Sequence, residues 1–276
     1  MVPARSLGYQ TDLAVRVAEG STITDCGDHV IVRTEQNPRY WWGNFLLLAA
    51  APRASEMAGW LERFAAVFPG ARHLVFGVDV TDAADVDEAV FASAGLAADR
   101  GVVLTAVEVR APSHRHLEAV IRPLAGPGDW HQSAQLAAAC AAQDPALMDL
   151  EFAELRAVAR RRMAEAGTAT WFGAFADDRL VAQLGLVPLP GRLARFQDVE
   201  THPAARRQGL AGTLVWTASR FGLDELGTTR LVIVADPGSA GHRVYQSVGF
   251  ASAEDHVGFV RPPDQNDRDM QESVPS

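Results

Sequence analysis

Short apolar runs alternate with longer amphipathic stretches along this chain, and that rhythm sets the expected elements. Asp28 to Thr34 reads as a strand after the turn at Asp25-Cys26-Gly27, and Tyr40 to Leu48, aromatic and then aliphatic, as a second strand. Ser55 is the candidate N-cap of a helix carrying Met57, Trp60, Leu61, Phe64 and Phe68, closed by Pro69-Gly70. His73 to Asp79 reads as a third strand, Asp85 to Leu96 as a helix and Val102 to Val109 as a fourth strand. Strands alternating with helices imply an α/β layer structure.

Ala111-Pro112-Ser113 marks a boundary. Beyond it, Leu117 to Pro123 reads as a strand, Gly126 to Asp129 as a turn and Gln132 to Ala142 as an Ala-rich helix. Met148, Phe152, Leu155, Ala159 and Met163 form an apolar stripe at helical spacing, which leaves Arg160-Arg161-Arg162 as a solvated helix face. Thr170 to Phe175 and Leu180 to Val187, with Asp177-Asp178 between them, read as a hairpin, and Gly191-Arg192 turns the chain into a strand ending at Thr201. Pro203 stops that strand, since it cannot donate to a ladder. Leu210, Leu214, Thr217, Ala218 and Phe221 fall on one helical face, with Gly222 as C-cap.

The join between these last two elements carries the chemistry. A helix begins with N–H groups that have no internal partner, and its dipole adds partial positive charge there. An anion docks on them where side chains stay clear, and Gly209, Ala211 and Gly212 are small, while Arg206 and Arg207 add charge. Leu231 to Ala235 follows as a continuous apolar run, as expected of a strand covered on both faces. Asp236-Pro237-Gly238 breaks it, and Ser239 to Val248 reads as a helix stopped by Gly249-Phe250, before a last strand around His256 to Val260.

Here the chain resembles the GNAT N-acetyltransferase superfamily. Arg206-Arg207-Gln208-Gly209-Leu210-Ala211 matches the family's acetyl-CoA loop, R/Q-x-x-G-x-G/A, and Tyr245 stands four residues before Gly249-Phe250, as in its late motif. The resemblance implies an α/β fold of two GNAT-like halves with mixed central sheets flanked by helices. It divides the chain into a degenerate half at 1–112 and a complete acetyl-CoA-binding half at 117–261; the polar, proline-bearing segment 262–276 is expected to be a disordered tail. In the first half the loop after Val78, Asp79 to Asp85, is acidic and lacks glycine, so one cofactor site per chain is expected.

What the resemblance implies chemically is transfer of an acetyl group from acetyl-CoA to a primary amine of a small molecule or peptide. The alternative is a non-catalytic acyl-CoA-binding or sensing module. The expected cofactor contacts are Val199 and Thr201 on the strand, Arg206, Arg207, Gln208, Gly209, Leu210, Ala211, Gly212 and Thr213 at the loop and helix start, and Ser239. Ser239 is included because the family often has Asn seven residues before the tyrosine, where this chain has Gly238. Tyr245 matches the family's general-acid position. An alkyl amine of pKa ~10.4 must lose a proton before attack, and a carboxylate, direct or through water, is the usual device. Glu200 and Asp198 are the candidates, on one face by alternation, with Gln197, Val199 and Thr201 on the other; a bulge would alter which face meets the acceptor.

Composition narrows the partners. Among 276 residues, 25 basic against 34 acidic side chains give −9, which argues against a general nucleic-acid surface. Cys26 and Cys140 are too far apart for a metal motif or a disulfide framework, which suits a reducing cytoplasm. Met1 to Gln10 is not apolar enough for a signal peptide, and the longest apolar stretch, Phe45 to Pro52, is far short of the ~20 residues that span a bilayer. The expected protein is cytoplasmic, a monomer or homodimer, and uses no metal: His114 and His116 lack the carboxylate or cysteine support of a site. No Ser, His and Asp order suggests a hydrolase.

Overall fold

The structure is a computed structural model and describes residues 4–141 and 149–263. Two compact units divide the chain. Unit 1 holds Met1–Arg16, Ser21–Gly101 and Asp255–Ser276; unit 2 holds Val17–Gly20 and Val102–Glu254.

The elements that begin in unit 1 are α1 (Leu7–Ala18), β1 (Thr22–Asp25), β2 (His29–Arg33), β3 (Phe45–Leu48), α2 (Met57–Val67), β4 (Leu74–Val78), α3 (Glu88–Ala92) and β5 (Ala97–Ala106). β1, β2 and β3 pair antiparallel in sequence, and β3 pairs parallel with β4. The expected strand over Tyr40 to Leu48 is shorter, because Trp41–Gly43 forms a 3-10 turn. Asn44 closes that turn: its amide nitrogen donates to the carbonyls of Asn37 and Tyr40, and its oxygen accepts the Thr34 N–H. Local amide bonding of this kind competes with a sheet ladder. The helix expected from Asp85 to Leu96 is only α3, entered through Asp87, whose side chain accepts from the Ala89 N–H.

Unit 2 continues with β6 (Val120–Pro123), α4 (Gly126–Ala141), α5 (Leu150–Glu165), β7 (Thr170–Ala176), β8 (Arg179–Leu189), β9 (Leu193–Thr201), α6 (Leu210–Asp224), β10 (Arg230–Ala235) and α7 (Ala240–Val248), and the last strand is β11 (Ala251–Arg261). Gly126 to Asp129, expected as a turn, is the first turn of α4; Asp129 accepts the Ala125 N–H at 2.8 Å there and pairs with Arg122. β6, β7, β8 and β9 form an antiparallel meander, and β10 joins it parallel to β9 and antiparallel to β5. Both tight turns of the meander use left-handed backbone, at Asp177 and Asp178 and at Gly191 and Arg192. α6 runs on to Asp224, so Gly222 is not its cap; it is buried within the helix, where an added Cβ would meet Leu186 and Leu231 at 3.1 and 3.2 Å.

The core of unit 2 lies between this sheet and α6 and α7, with Leu184, Leu186, Phe196, Leu214, Ala218, Leu231, Val248 and Phe250 fully or nearly buried. Each such large apolar side chain contributes about 1.5–3 kcal/mol when removed from water. The unit boundaries fall at 101/102 and 254/255, where sequence alone placed them at 112 and 261. The physical reason lies in β11, whose residues Val257 to Arg261 pair antiparallel with β4. Most of the expected tail, 264–276, lies outside the described residues, as does Met148 of the expected stripe. No helix among the described residues is long and apolar enough to cross a membrane.

Candidate active site

β9 and β10 pair only from Leu193 to Arg195 against Arg230 to Val232. Beyond Arg195 the two strands part, which leaves the β10-facing backbone of β9 unpaired up to Thr201. A cavity of about 410 Å³ opens at this parting. Its walls include Val199, Glu200 and Thr201 from β9, Arg206, Arg207 and Gly209 from the following loop, and Leu210, Ala211 and Gly212 from the start of α6. Tyr245, Gly241 and Val244 of α7 and Cys140 of α4 complete it.

α6 begins without a side-chain cap, whereas Asp149 caps α5 and Ser239 caps α7. Among the described residues, the N–H groups of Leu210, Ala211 and Gly212 meet no protein acceptor, and the first intrahelical bond is Thr213 N–H to Gly209 O at 3.0 Å. Bare amides at a helix start are anion donors. The glycines do more than stay clear of a phosphate. Gly209 sits at φ +80°, and a Cβ there would lie 2.5 Å from the His114 carbonyl oxygen; one on Gly212 would meet Pro112 at 3.3 Å. Both bare Cα faces therefore admit the close approach of the 112–116 segment. Thr213 ties that segment down, accepting the His116 N–H at 3.0 Å and donating to Gly209 O at 2.8 Å.

Three expected cofactor residues stand apart from the cavity. Gln208 lines a separate open groove with Ala111 to Arg115, Thr213 serves the 112–116 segment, and Ser239 spends its hydroxyl accepting the His242 N–H at 3.1 Å. The other ten expected residues, from Val199 to Tyr245, share the cavity.

β9 carries a bulge. Gln183 pairs with Glu200 and Gly185 with Gln197, so Asp198 and Val199 together face only Leu184, and Asp198 takes φ +49°. The alternation expected from sequence is thereby broken: Glu200 and Gln197 share a face. Asp198 turns to two arginines of α5, 2.8 Å from Arg160 and 3.4 Å from Arg156. Arg156 also meets Glu19, 3.4 Å away. The expectation of a solvated Arg160-Arg161-Arg162 face fails for Arg160, which is 0% exposed. The buried stripe of α5 is Phe152, Ala153, Arg156, Ala157, Arg160 and Met163, while Leu155 of the expected stripe is exposed. The i, i+4 spacing of Arg156 and Arg160 within an apolar stripe was the available signal.

Glu200 makes no ion pair among the described residues; its Oε2 accepts from Gln183 Nε2 at 2.5 Å. Burial pushes its carboxyl up to about 7, Arg160 opposes this, and Asp198 adds to it. Burial also raises the Tyr245 phenol above its ordinary range, with a smaller push from Asp236. No protein partner for the Tyr245 hydroxyl is found among the described residues. The Cys140 thiol donates to Thr201 O at 3.4 Å and is pushed up to about 11, first by burial and then by Glu200. His202 accepts the Ala204 N–H, and His116 accepts the Ala119 N–H, both local turn contacts. Among the described residues no group of three metal-ligating side chains occurs.

Residues 135–250 match the acetyltransferase (GNAT) family model. A functionally unknown conserved protein from Staphylococcus epidermidis ATCC 12228 has a similar structure, with TM-score 0.71, 11% identity, and coverage of 89% of this chain and 95% of that one. A GCN5-related N-acetyltransferase from Kribbella flavida matches with TM-score 0.65 and 15% identity over 96% and 99%. Another from Sphaerobacter thermophilus gives 0.58 and 16% over 91% and 84%. At these identities the likeness is one of fold. No curated protein matches the sequence.

Proposed function

We propose that the protein is an acetyl-CoA-dependent N-acetyltransferase acting on a primary amine of a small molecule or peptide. The observation that carries this is the meeting, in one cavity, of the bare α6 amides with Glu200 and Tyr245. The residues present suit the cofactor. Leu210, Ala211 and Gly212 offer N–H groups to a diphosphate, Arg206 and Arg207 add charge, and the unpaired edge of β9 offers backbone groups to an amide-bearing arm.

Glu200 is assigned as the base. Asp198 is occupied by two guanidinium groups and does not line the cavity. A carboxylate titrating near 7 is matched to its task at neutral pH. The incoming ammonium loses one proton to Glu200, and the nitrogen lone pair then attacks the thioester carbonyl carbon. The C–N bond forms as the C–S bond breaks; of the two protons shed by nitrogen, one is released and one ends on sulfur. Tyr245, with a phenol raised above its usual range, serves as a hydrogen-bond donor to the departing sulfur. A thiol of pKa ~8.5 is the stronger acid, so the phenol steadies the thiolate until it takes a proton by way of solvent.

Calorimetry with acetyl-CoA, followed by an acceptor screen using labelled acetyl groups, tests this reading. The expected result is one cofactor per chain and label transfer to an amine. Binding without transfer to any amine would favour the sensing module, and no heat at millimolar acetyl-CoA would refute both.

A further inference from the structure

We propose that Gln183, locked by Ser133, is a positioning residue that fixes the Glu200 carboxylate against the cavity and keeps it able to accept a proton. This rests on the assignment of Glu200 above, but its geometry stands independently. Gln183 sits on β8 directly opposite Glu200 on β9, and both Gln183 and Ser133 are 0% exposed. The Ser133 hydroxyl donates to Gln183 Oε1 at 2.6 Å, and Gln183 Nε2 donates to Ser133 O at 3.2 Å and to Glu200 Oε2 at 2.5 Å.

The orientation of that amide is forced. Ser133 O can only accept, and so can the ionised Glu200 carboxylate, so a flipped amide would set its own oxygen against the Ser133 carbonyl at every pH and against Glu200 once it ionises. All three polar positions of the Gln183 amide are engaged within the protein, which leaves it no freedom to follow the protonation state of Glu200. Its N–H therefore favours the ionised carboxylate over the neutral acid. Glu200 Oε1 meets no protein donor among the described residues, and Glu200 lines the cavity, so this is the oxygen presented to an incoming amine.

The bulge makes the arrangement possible. Without the extra residue between Gln197 and Glu200, the residue opposite Gln183 would be Val199. The other charged or titratable groups around Glu200 are Arg156 and Arg160 from α5, Asp198 from β9, Cys140 from α4, Arg206 and Arg207 from the loop before α6 and Tyr245 from α7. Arg156 and Arg160 are held by Glu19 and Asp198, which leaves Gln183 as the donor in direct contact with the carboxylate.

The test follows the Glu200 carboxyl itself, by carbon NMR of protein labelled at the glutamate carboxyl, with E200Q assigning the signal. In Q183L the midpoint should move up by about 1–2 pH units, the usual worth of a buried hydrogen bond to a charged group. S133A frees the amide to turn, and the midpoint should move the same way by less. An unchanged midpoint in folded Q183L or folded S133A overturns the proposal. In turnover, Q183L should lose about tenfold at pH 7 and regain most of it by pH 9, with KM for acetyl-CoA within twofold. A uniform loss at every pH would also overturn it, since that is what a merely structural change gives. Absence of acetyl transfer by the unaltered protein would refute the function proposed above while leaving the NMR titration to decide this point, so the two failures are told apart.

Discussion

Replacing Glu200 with Gln should slow the protein and stabilise it at once. Burial raises this carboxyl from 4.5 to about 7. Between those values the folded chain holds a proton that the unfolded chain has lost, so stability falls as pH rises across that window, and the loss is complete above it. The span of about 2.5 pH units corresponds to on the order of 3 kcal/mol at pH 8. E200Q carries no charge at any pH and keeps an oxygen for the Gln183 N–H, so it escapes that penalty. Its melting temperature at pH 8 should exceed that of the unaltered protein by on the order of 6–12 °C, and the gap should close below pH 5. Turnover should respond in the opposite sense. With a midpoint near 7, about a tenth of Glu200 is ionised at pH 6 and about nine tenths at pH 8, so kcat/KM for the amine should rise about tenfold between them. E200Q should lose that limb and about 10²-fold or more in rate at pH 8. The assays are differential scanning calorimetry from pH 5 to pH 9 and a thiol-release assay over the same range. Equal melting temperatures for the two proteins at pH 8 would refute the claim that Glu200 is charged at a cost, and an acid limb persisting in E200Q would assign the base elsewhere.

Other outcomes follow from particular contacts. Gly209→Ala places a Cβ 2.5 Å from the His114 carbonyl oxygen at φ +80°, so it should cost roughly 1–3 kcal/mol and displace the 112–116 segment; calorimetry should show acetyl-CoA affinity falling at least tenfold, and unchanged affinity would free the loop of its role. Tyr245→Phe should lower kcat about 10–100-fold with acetyl-CoA affinity within twofold, and equal losses in both would make the ring a packing element only. In a thiol titration at pH 7, exposed Cys26 should react quickly and Cys140 hardly at all, since a thiol at about 11 is roughly one part in ten thousand thiolate; two fast thiols per chain would contradict the burial of Cys140.

Local chemistry made much of unit 2 readable in the sequence. The hairpin around Asp177-Asp178, the turn at Gly191-Arg192, the short helix from about Ser239 to Val248 and the loop at Gly209 each rest on residues close in the chain, and each lies where the pattern puts it. What stayed hidden depends on partners far away. α1 buries Gly8, Thr11, Asp12 and Arg16 along with Tyr9, Leu13 and Val15, so polar residues interrupt the apolar pattern of its inner face. Polar residues there are satisfied by contacts no window reveals, such as Arg16 with Asp12 at 3.5 Å and with the Tyr40 hydroxyl. The burial of Arg160 is hidden for the same reason, since it depends on Asp198, and the turn of Asp198 depends on a bulge opposite β8. Gln183 gave no signal at all: an isolated glutamine in an apolar strand acquires meaning only when Ser133 and Glu200 arrive beside it.

The two units also show how one layout can lose a site. In unit 1 the parallel pair is β3 and β4, joined through α2 as β9 and β10 are joined through α6, so the place of the Gly209 loop falls to the segment after β3 and not to the expected Asp79 to Asp85; there the Glu56 carboxylate accepts the Arg53 N–H at 2.8 Å. After β4, which stands where β10 stands in unit 2, the Ala83 N–H goes to Asp255 Oδ2 at 2.8 Å and the Ala84 N–H to Asp82 Oδ1 at 2.8 Å. Asp79, buried at the end of β4, accepts the N–H groups of Arg5 and Ser6 and the Ser6 hydroxyl. After β3, then, a carboxylate already accepts from the backbone where the Gly209 loop leaves its donors open, and an anion arriving there would meet like charge. In unit 2 the corresponding amides belong to Leu210, Ala211 and Gly212, with two arginines beside them and no carboxylate accepting from them. The difference between scaffold and site is therefore a matter of which backbone donors the chain satisfies for itself. A helix that caps its own start gains about 1 kcal/mol of stability; α6 forgoes it, and its open amides are the ones the proposed function assigns to a diphosphate.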